Sequence, residues 1–152
     1  MRIKYFTPAL FLVFLLAGCA KIQEPEFRRV DNFRLKGIGL SGATVGFTIT
    51  YFNPNNFTMT VKETEAQVAL DGVDLGKFAQ DTTVEVGAKA EFSIPISGTV
   101  PFNKATQLNI QNLSSREVQV NAVGSTKVGK AGIFITKPFT YSGKHRIDEV
   151  RF

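Results

Sequence analysis

The feature that most constrains the fold is an alternation of apolar and polar side chains with a period of two residues. In the stretch 44–51, the odd positions are Val, Phe, Ile and Tyr, whereas the even positions are Thr or Gly. The stretch 90–102 repeats the pattern on its even positions, and Val118, Val120 and Ala122 show it a third time. Successive side chains of a strand point to opposite faces, so each stretch predicts a strand with one buried face.

Weaker strand patterns and turn signals lie between these stretches. Asp71 and Gly72 separate two apolar runs, which predicts a hairpin with a mirror-image turn. Pro95 and Pro138 cannot donate a ladder hydrogen bond, so we expect each at a sheet edge or a bulge. The weaker strand candidates are 30–36, 58–64, 65–70, 82–86 and 132–140.

One segment, 103–113, has a helical pattern. Asn103 can cap its first turn, and Ala105 and Leu108 form a narrow apolar stripe. Several short strands and one helix predict an all-β fold, an immunoglobulin-like or fibronectin-like β-sandwich of about seven strands with one short helix. The 152 residues, 43% of them apolar, provide for one domain with a real core.

The first residues have the layout of an export signal. Two cations precede an apolar run from Tyr5 to Leu16, and small residues follow. The run is shorter than the about 20 residues that a membrane-spanning helix needs. The sequence therefore predicts a signal peptide at 1–18, a lipidated tether at 19–27 and a β-sandwich domain at 28–152.

Leu16, Ala17, Gly18 and Cys19 resemble the lipobox of bacterial lipoproteins, in which the cysteine receives diacylglycerol and becomes the new N-terminus. The alternatives are a short core helix with a buried cysteine, or a plain secretory signal whose cysteine is incidental. Two or three acyl chains give stable membrane attachment. The predicted location is the cell envelope, and Ala20 after the cysteine favours the outer membrane in a Gram-negative source.

Charge and cysteine content exclude several classes of function. The formal net charge of +5 falls once Arg2 and Lys4 leave with the signal peptide, and the sequence has no nucleic-acid recognition motif, so we expect no nucleic-acid partner. One cysteine excludes a disulfide within the chain, and together with one histidine it leaves no set of ligands for a zinc or iron-sulfur site. No metal or cofactor is predicted other than the covalent lipid on Cys19.

The remaining motifs predict architecture and no catalysis. The tetrapeptide 53–56, Asn-Pro-Asn-Asn, follows the clearest strand and is typical of a turn that redirects the chain. His145 lies between Lys144 and Arg146 and is expected at the surface. No serine has the sequence context of a catalytic nucleophile, so we expect no enzyme.

Four segments together are similar to one known family. They are an alternating strand that ends in Asn-Pro-Asn, a hairpin, a strand before a short helix, and a closing strand, at 45–55, 70–76, 92–102 and 137–143. The chain from 28 to 147 resembles the group 2 late-embryogenesis-abundant family, whose domain is also called the WHy domain. The resemblance implies a folded seven-stranded sandwich with one helix and no catalytic residues. Its motif position that transfers to this chain is the turn formed by Asn53, Pro54 and Asn55.

The family is associated with stress tolerance, membrane proximity and, in some relatives, lipid contact. The resemblance and the lipobox together predict a non-enzymatic envelope lipoprotein for desiccation or stress protection, or for envelope maintenance through binding. Its predicted partner is the membrane, through the N-terminal acyl chains. Two alternatives stay open: a module that binds or transfers a lipid or another apolar ligand, and an adaptor that offers a sheet edge to another envelope protein.

Overall fold

The computed structural model describes residues 22–108 and 116–146. These residues form antiparallel strands and one short helix, which confirms the predicted all-β fold class. The elements in chain order are β1 (Glu26–Ile38), β2 (Gly42–Phe52), β3 (Met59–Leu70), β4 (Val73–Gln80), β5 (Val84–Val86), β6 (Glu91–Pro101), α1 (Phe102–Ala105), β7 (Glu117–Lys130) and β8 (Ile133–Arg146).

The strands belong to one curled sheet. Its order is β1-β2-β6-β4-β3-β7-β8, and the short β5 pairs with β3. The strands β1, β2 and β6 face β4, β3, β7 and β8, as in a sandwich, but the two layers are continuous. They are joined by β4 and β6, which share three residue pairs, from Phe78 with Gly98 to Gln80 with Ile96.

Two β-bulges explain where the strand predictions were inaccurate. The segments 58–64 and 65–70 are one strand, β3, whose register shifts between Lys62 and Glu65. Inward-facing residues are odd-numbered before this shift and even-numbered after it. The strict alternation of the sequence is therefore broken there, which made one strand look like two. A second shift between Val68 and Ala69, opposite β4, interrupts the alternation in β4 in the same way, so the sequence predicted only the start of β4, as the second arm of the hairpin, and not its continuation to Gln80.

The predicted helix at 103–113 is much shorter in the structure. It begins at Phe102 and ends at Ala105, with Pro101 at the N-cap position and no capping hydrogen bond from a side chain. Asn103 therefore lies inside the helix and does not cap it; its carbonyl accepts hydrogen bonds from the side chains of Thr106 and Gln107. Residues 109–113 of the prediction lie outside the described residues.

The two strand prolines lie in different settings. Pro138 is in β8, at an edge of the described sheet, as predicted. Pro95 is in the central strand β6, and its carbonyl accepts a hydrogen bond from the backbone N–H of Asp81 at 2.9 Å. Its ring nitrogen points to the same side, where the pairing of β4 has ended at Gln80. Because no residue of β4 is paired on that side of Pro95, the missing N–H donor costs no ladder hydrogen bond, although Pro95 lies at neither a sheet edge nor a bulge.

The hairpin between β3 and β4 turns at Asp71 and Gly72, whose φ values are 49° and 81°. This is the positive-φ geometry that the sequence predicted. The Asp71 carboxylate also accepts a hydrogen bond from the backbone N–H of Gln119 at 2.8 Å and pairs with Arg116 at 2.7 Å. The turn is thereby fastened to the start of β7.

The Asp71 carboxyl should make the stability of the fold depend on pH. The backbone N–H of Gln119 and the guanidinium of Arg116 hold the pKa of this carboxyl below its ordinary value. A lowered carboxyl pKa stabilises the folded state above the ordinary pKa, and this contribution is lost as the pH falls through the lowered one. We expect Asp71→Asn to be less stable than the wild type at neutral pH, and the difference to vanish in acid.

Urea unfolding at neutral and acidic pH measures this difference. Glu117→Gln is a suitable control, because Glu117 is exposed and its side chain has no hydrogen bond or ion pair among residues 22–108 and 116–146. A deficit of Asp71→Asn that stays constant across the pH range would contradict the role of the charge.

Candidate functional site

The inner face of the curled sheet surrounds a large apolar cavity of about 1580 Å³. Protein interiors normally have few voids larger than a water molecule. The walls come from the long strands of both layers and from the short helical segment. Apolar lining residues include Phe33, Phe47, Ile49, Val61, Ala66, Val68, Leu75, Phe78, Phe92, Ile94, Ile96, Val100, Leu108 and Ala122.

The period of two residues explains why the cavity is apolar. The odd positions of β2 and the even positions of β6 point inward, so the alternation of the sequence becomes the apolar wall of the cavity. Aromatic rings cover part of the wall. The ring centroid of Phe47 lies 5.7 Å from those of Phe33 and Phe78, and the rings of Tyr51 and Phe92 stack with their centroids 5.8 Å apart. The sequence predicted these inward faces, and the alternative of an apolar-ligand module needs a space between them, but the size of that space is set by the long-range pairing of the strands.

The two edge strands β1 and β8 meet through side chains. Phe27 of β1 lies 6.0 Å from the ring of Tyr141 and 6.2 Å from the ring of His145, both in β8. The Tyr141 hydroxyl and the Nε2 atom of His145 form a hydrogen bond. Burial raises the pKa of the Tyr141 hydroxyl. No backbone pairing joins β1 to β8 among the residues described, so the closure at this seam depends on aromatic contacts.

The position of His145 differs from its prediction. It was expected at the surface among cations, but its ring is half-buried and lines the cavity beside Tyr141. The alternation along β8 could have shown this. His145 occupies an odd-numbered position, like Phe139 and Tyr141, and these positions lie on the inner face of β8. Lys144 and Arg146 have the opposite parity and are exposed.

The first half of β8 leaves one flank of the cavity open. Ile133 and Ile135 line the cavity and yet are 77% and 52% exposed, and Lys137 on the same face is also exposed. Ile22, which is 70% exposed, and Lys130, at the end of β7, complete the rim of the same cavity. We call this opening, formed by Ile22, Lys130, Ile133, Ile135 and Lys137, the portal.

The turn after β2 lies next to the portal and holds the chain that precedes β1. Asn53 is fully buried; its amide nitrogen donates to the carbonyls of Phe57 and Gly87, and its carbonyl accepts from the N–H and side chain of Asn55. Asn55 in turn forms two hydrogen bonds with the backbone of Gln23, at 2.9 and 2.8 Å. The predicted turn motif, Asn53, Pro54 and Asn55, is thus a buried hydrogen-bonded clamp on the N-terminal segment.

Part of the predicted tether is therefore structured. The sequence assigned 19–27 to the tether, whereas β1 begins at Glu26 and Gln23 is bound to Asn55. The lipobox residues Leu16, Ala17 and Gly18, the lipidation site Cys19 and the signal peptide 1–18 lie outside the described residues.

No helix within 22–108 or 116–146 is long and apolar enough to cross a membrane. The same residues contain no cluster of three or more His, Cys, Asp or Glu side chains that could hold a metal ion.

Two solved structures are similar to this fold. A crystal structure of a protein from Archaeoglobus fulgidus aligns with a TM-score of 0.52 at 8% identity, over 82% of this chain and 100% of that chain. A solution structure of AT1g01470 from Arabidopsis thaliana gives a TM-score of 0.49 at 15% identity, over 81% of this chain and 80% of that chain. No family model matches the chain, and no curated protein matches it. The similarity to the archaeal protein shows the fold alone.

Proposed function

We propose that this protein is a non-enzymatic, membrane-anchored envelope lipoprotein that binds the acyl chains of a lipid in the cavity of its curled sheet. The observation that carries the proposal is the cavity itself. Its volume of about 1580 Å³ exceeds the roughly 300–1,000 Å³ of ordinary small-molecule pockets, and its lining is mainly aliphatic and aromatic. A long hydrocarbon chain matches the size and the low polarity of this cavity.

The free energy of burial favours such a ligand. Apolar surface that faces an open cavity gains about 25 cal/mol per Å² when it is covered, and each buried CH₂ group contributes about 0.8 kcal/mol. The half-buried rings of Phe33, Phe47 and Tyr51 form part of that surface. They could be covered by an acyl chain without any change in the backbone pairing of the sheet.

The predicted lipidation of Cys19 supports the same function from the sequence. An anchored protein remains at a membrane, where its ligand is abundant, and does not need to find that ligand in solution. Stress protection, which the family resemblance implies, stays a prediction.

A photoreactive lipid tests the proposal in the full-length protein. The protein is reconstituted into vesicles that contain a phospholipid with a diazirine in its acyl chain, and the crosslinked residues are mapped by mass spectrometry. We expect crosslinks on inward-facing side chains such as Phe47 and Ile49, which line the cavity and are half-buried. We expect few on Val123, which is 60% exposed and does not line it.

Filling the cavity should remove these crosslinks. Ala122 lines the cavity, and Ala122→Trp places a large side chain in that space, so we expect a loss of tenfold or more in crosslinking to Phe47 and Ile49, with folding retained. Val123→Trp is the matched control, because the neighbouring residue does not line the cavity. Circular dichroism and the unfolding midpoint check both variants. An absence of inner-face crosslinks in the wild type, or equal crosslinking in folded Ala122→Trp, would refute the proposal.

A further inference from the structure

The portal lies at the place where the chain leaves toward its predicted anchor. Ile22 is the first described residue, and the next residue, Gln23, is fixed by its two hydrogen bonds to Asn55. Cys19 is three positions before Ile22 along the chain, and an extended chain covers at most about 3.6 Å per position. A lipidated Cys19 would lie within about 11 Å of Ile22 and would therefore hold the portal within reach of the bilayer surface.

The contacts of the clamp place both walls of the portal at one end of the sheet. The ammonium of Lys130 lies 4.6 Å from the centre of the Phe57 ring, and the carbonyl of Phe57 accepts a hydrogen bond from Asn53. Asn53 also binds Asn55, which holds Gln23. The turn from β7 to β8 and the N-terminal segment thus flank the same opening.

The portal combines exposed apolar side chains with cations. Ile22, Ile133 and Ile135 are all more than half exposed, and two lysines, Lys130 and Lys137, stand on the same rim. Aliphatic side chains favour the acyl region of a membrane, whereas lysines favour its anionic head groups. This composition suits contact with an anionic bilayer surface.

The two portal lysines lack the carboxylate partner that six other cations of the described residues have. Lys36, Lys77, Lys127, Arg28, Arg29 and Arg116 each form an ion pair with a carboxylate. Neither Lys130 nor Lys137 forms one within the part of the chain that the structure describes. The carboxylate of Glu24 also lines the cavity, but it is exposed and forms no ion pair with them there. Neither charge is neutralised by a carboxylate, and the contact of Lys130 with the Phe57 ring leaves its positive charge in place, so both ammonium groups can bind an anion.

We infer that the ligand is an anionic lipid drawn from the bilayer, with its acyl chains in the cavity and its negatively charged head group at the portal between Lys130 and Lys137. This inference rests on the proposed function. A charged head group would lose its hydration inside the apolar cavity, so it remains at the portal while the hydrocarbon enters. The lysines then select among lipids whose chains are the same.

Two photoreactive lipids with identical diazirine-bearing chains test the selection. One has the anionic phosphatidylglycerol head group and the other the zwitterionic phosphatidylcholine head group, each at trace level in the same host bilayer with the full-length protein. The measured quantity is the ratio of cavity crosslinks from the two lipids, read on Phe47 and Ile49. We expect the wild type to favour phosphatidylglycerol.

Substitution of both lysines should remove most of this preference. A lysine near an anionic lipid surface contributes about 1 kcal/mol, so Lys130→Gln with Lys137→Gln should reduce the ratio by a factor on the order of 30, and each single change by about fivefold. High salt should reduce it in the same direction. The double variant Lys77→Gln with Lys144→Gln has the same net charge but alters side chains that do not line the cavity, and it should keep the wild-type ratio.

The outcomes separate the two proposals. Equal cavity crosslinking by both lipids, or an unchanged ratio in the folded portal variant, overturns the head-group selection and leaves the cavity function standing. If the control variant loses as much of the preference as the portal variant does, the head-group selection is also overturned, because the effect would then come from net charge. No cavity crosslinking by either lipid refutes both.

Discussion

Asn53→Ala should lower the free energy of unfolding by about 3–5 kcal/mol, although the residue is small and polar. Its side chain is fully buried and makes four hydrogen bonds, two to backbone carbonyls and two to Asn55. Truncation leaves these partners without their bonds, and each buried polar group left unsatisfied costs about 1–3 kcal/mol. Urea unfolding of the wild type and the variant measures the loss.

Two further variants show whether hydrogen bonds or packing cause this loss. Asn56→Ala is the control, since Asn56 is exposed and its side chain forms no hydrogen bond among the described parts of the chain; we expect a change below about 0.5 kcal/mol. Asn53→Asp keeps the volume but replaces the donor that faces the carbonyls of Phe57 and Gly87. It should be at least as destabilising as alanine at neutral pH. A folded Asn53→Asp as stable as the wild type would contradict the hydrogen-bond explanation.

Gly124→Val should destabilise the fold by about 3 kcal/mol or more. A Cβ atom on Gly124 would lie 1.9 Å from the carbonyl oxygen of Glu65 and 2.7 Å from the Cα of Ala66. These are backbone atoms of β3, so the clash cannot be relieved by a change of rotamer. Overpacking that shifts side chains and backbone typically costs about 1–3 kcal/mol and occasionally more, and a clash with the backbone of β3 belongs at the upper end of that range.

Thermal unfolding measures this effect. A loss of about 3 kcal/mol corresponds to a decrease in Tm of roughly 6–12 °C for a domain of this size. Gly37→Ala is the matched control: a Cβ there has no neighbour within 4 Å, so we expect little change. If Gly124→Val has the same Tm as the wild type, β3 and β7 do not approach each other as closely as the structure shows.

The effect of Gly124→Val also bears on the lipid-binding proposal. Gly124 pairs with Ala66 of β3 on one side and with Phe139 of β8 on the other, and both partners line the cavity. The absence of a side chain at Gly124 lets the β7–β8 hairpin, which forms one side of the portal, lie close against β3.

The amino-acid sequence by itself determined the features that arise between near neighbours. Alternating apolar side chains specified β2, β6 and β7, because successive side chains of a strand point to opposite faces of the sheet. The positive φ required at Asp71 and Gly72 specified the hairpin for a similar local reason. The sequence pattern also indicated that Asn53, Pro54 and Asn55 form a turn, although it did not indicate which distant groups they bind.

Only the tertiary structure decided how these faces meet. The partners of the Asn53 and Asn55 side chains include Gly87 and Gln23, which are more than 30 positions away in the chain. The two bulges in the pairing of β3, the three-pair join of β4 to β6 and the side-chain seam at Phe27 and Tyr141 set how far the sheet curls. The alternation along a strand shows which side chains point inward. The space in front of them depends on long-range strand pairing, so the tertiary fold decided the cavity and its portal.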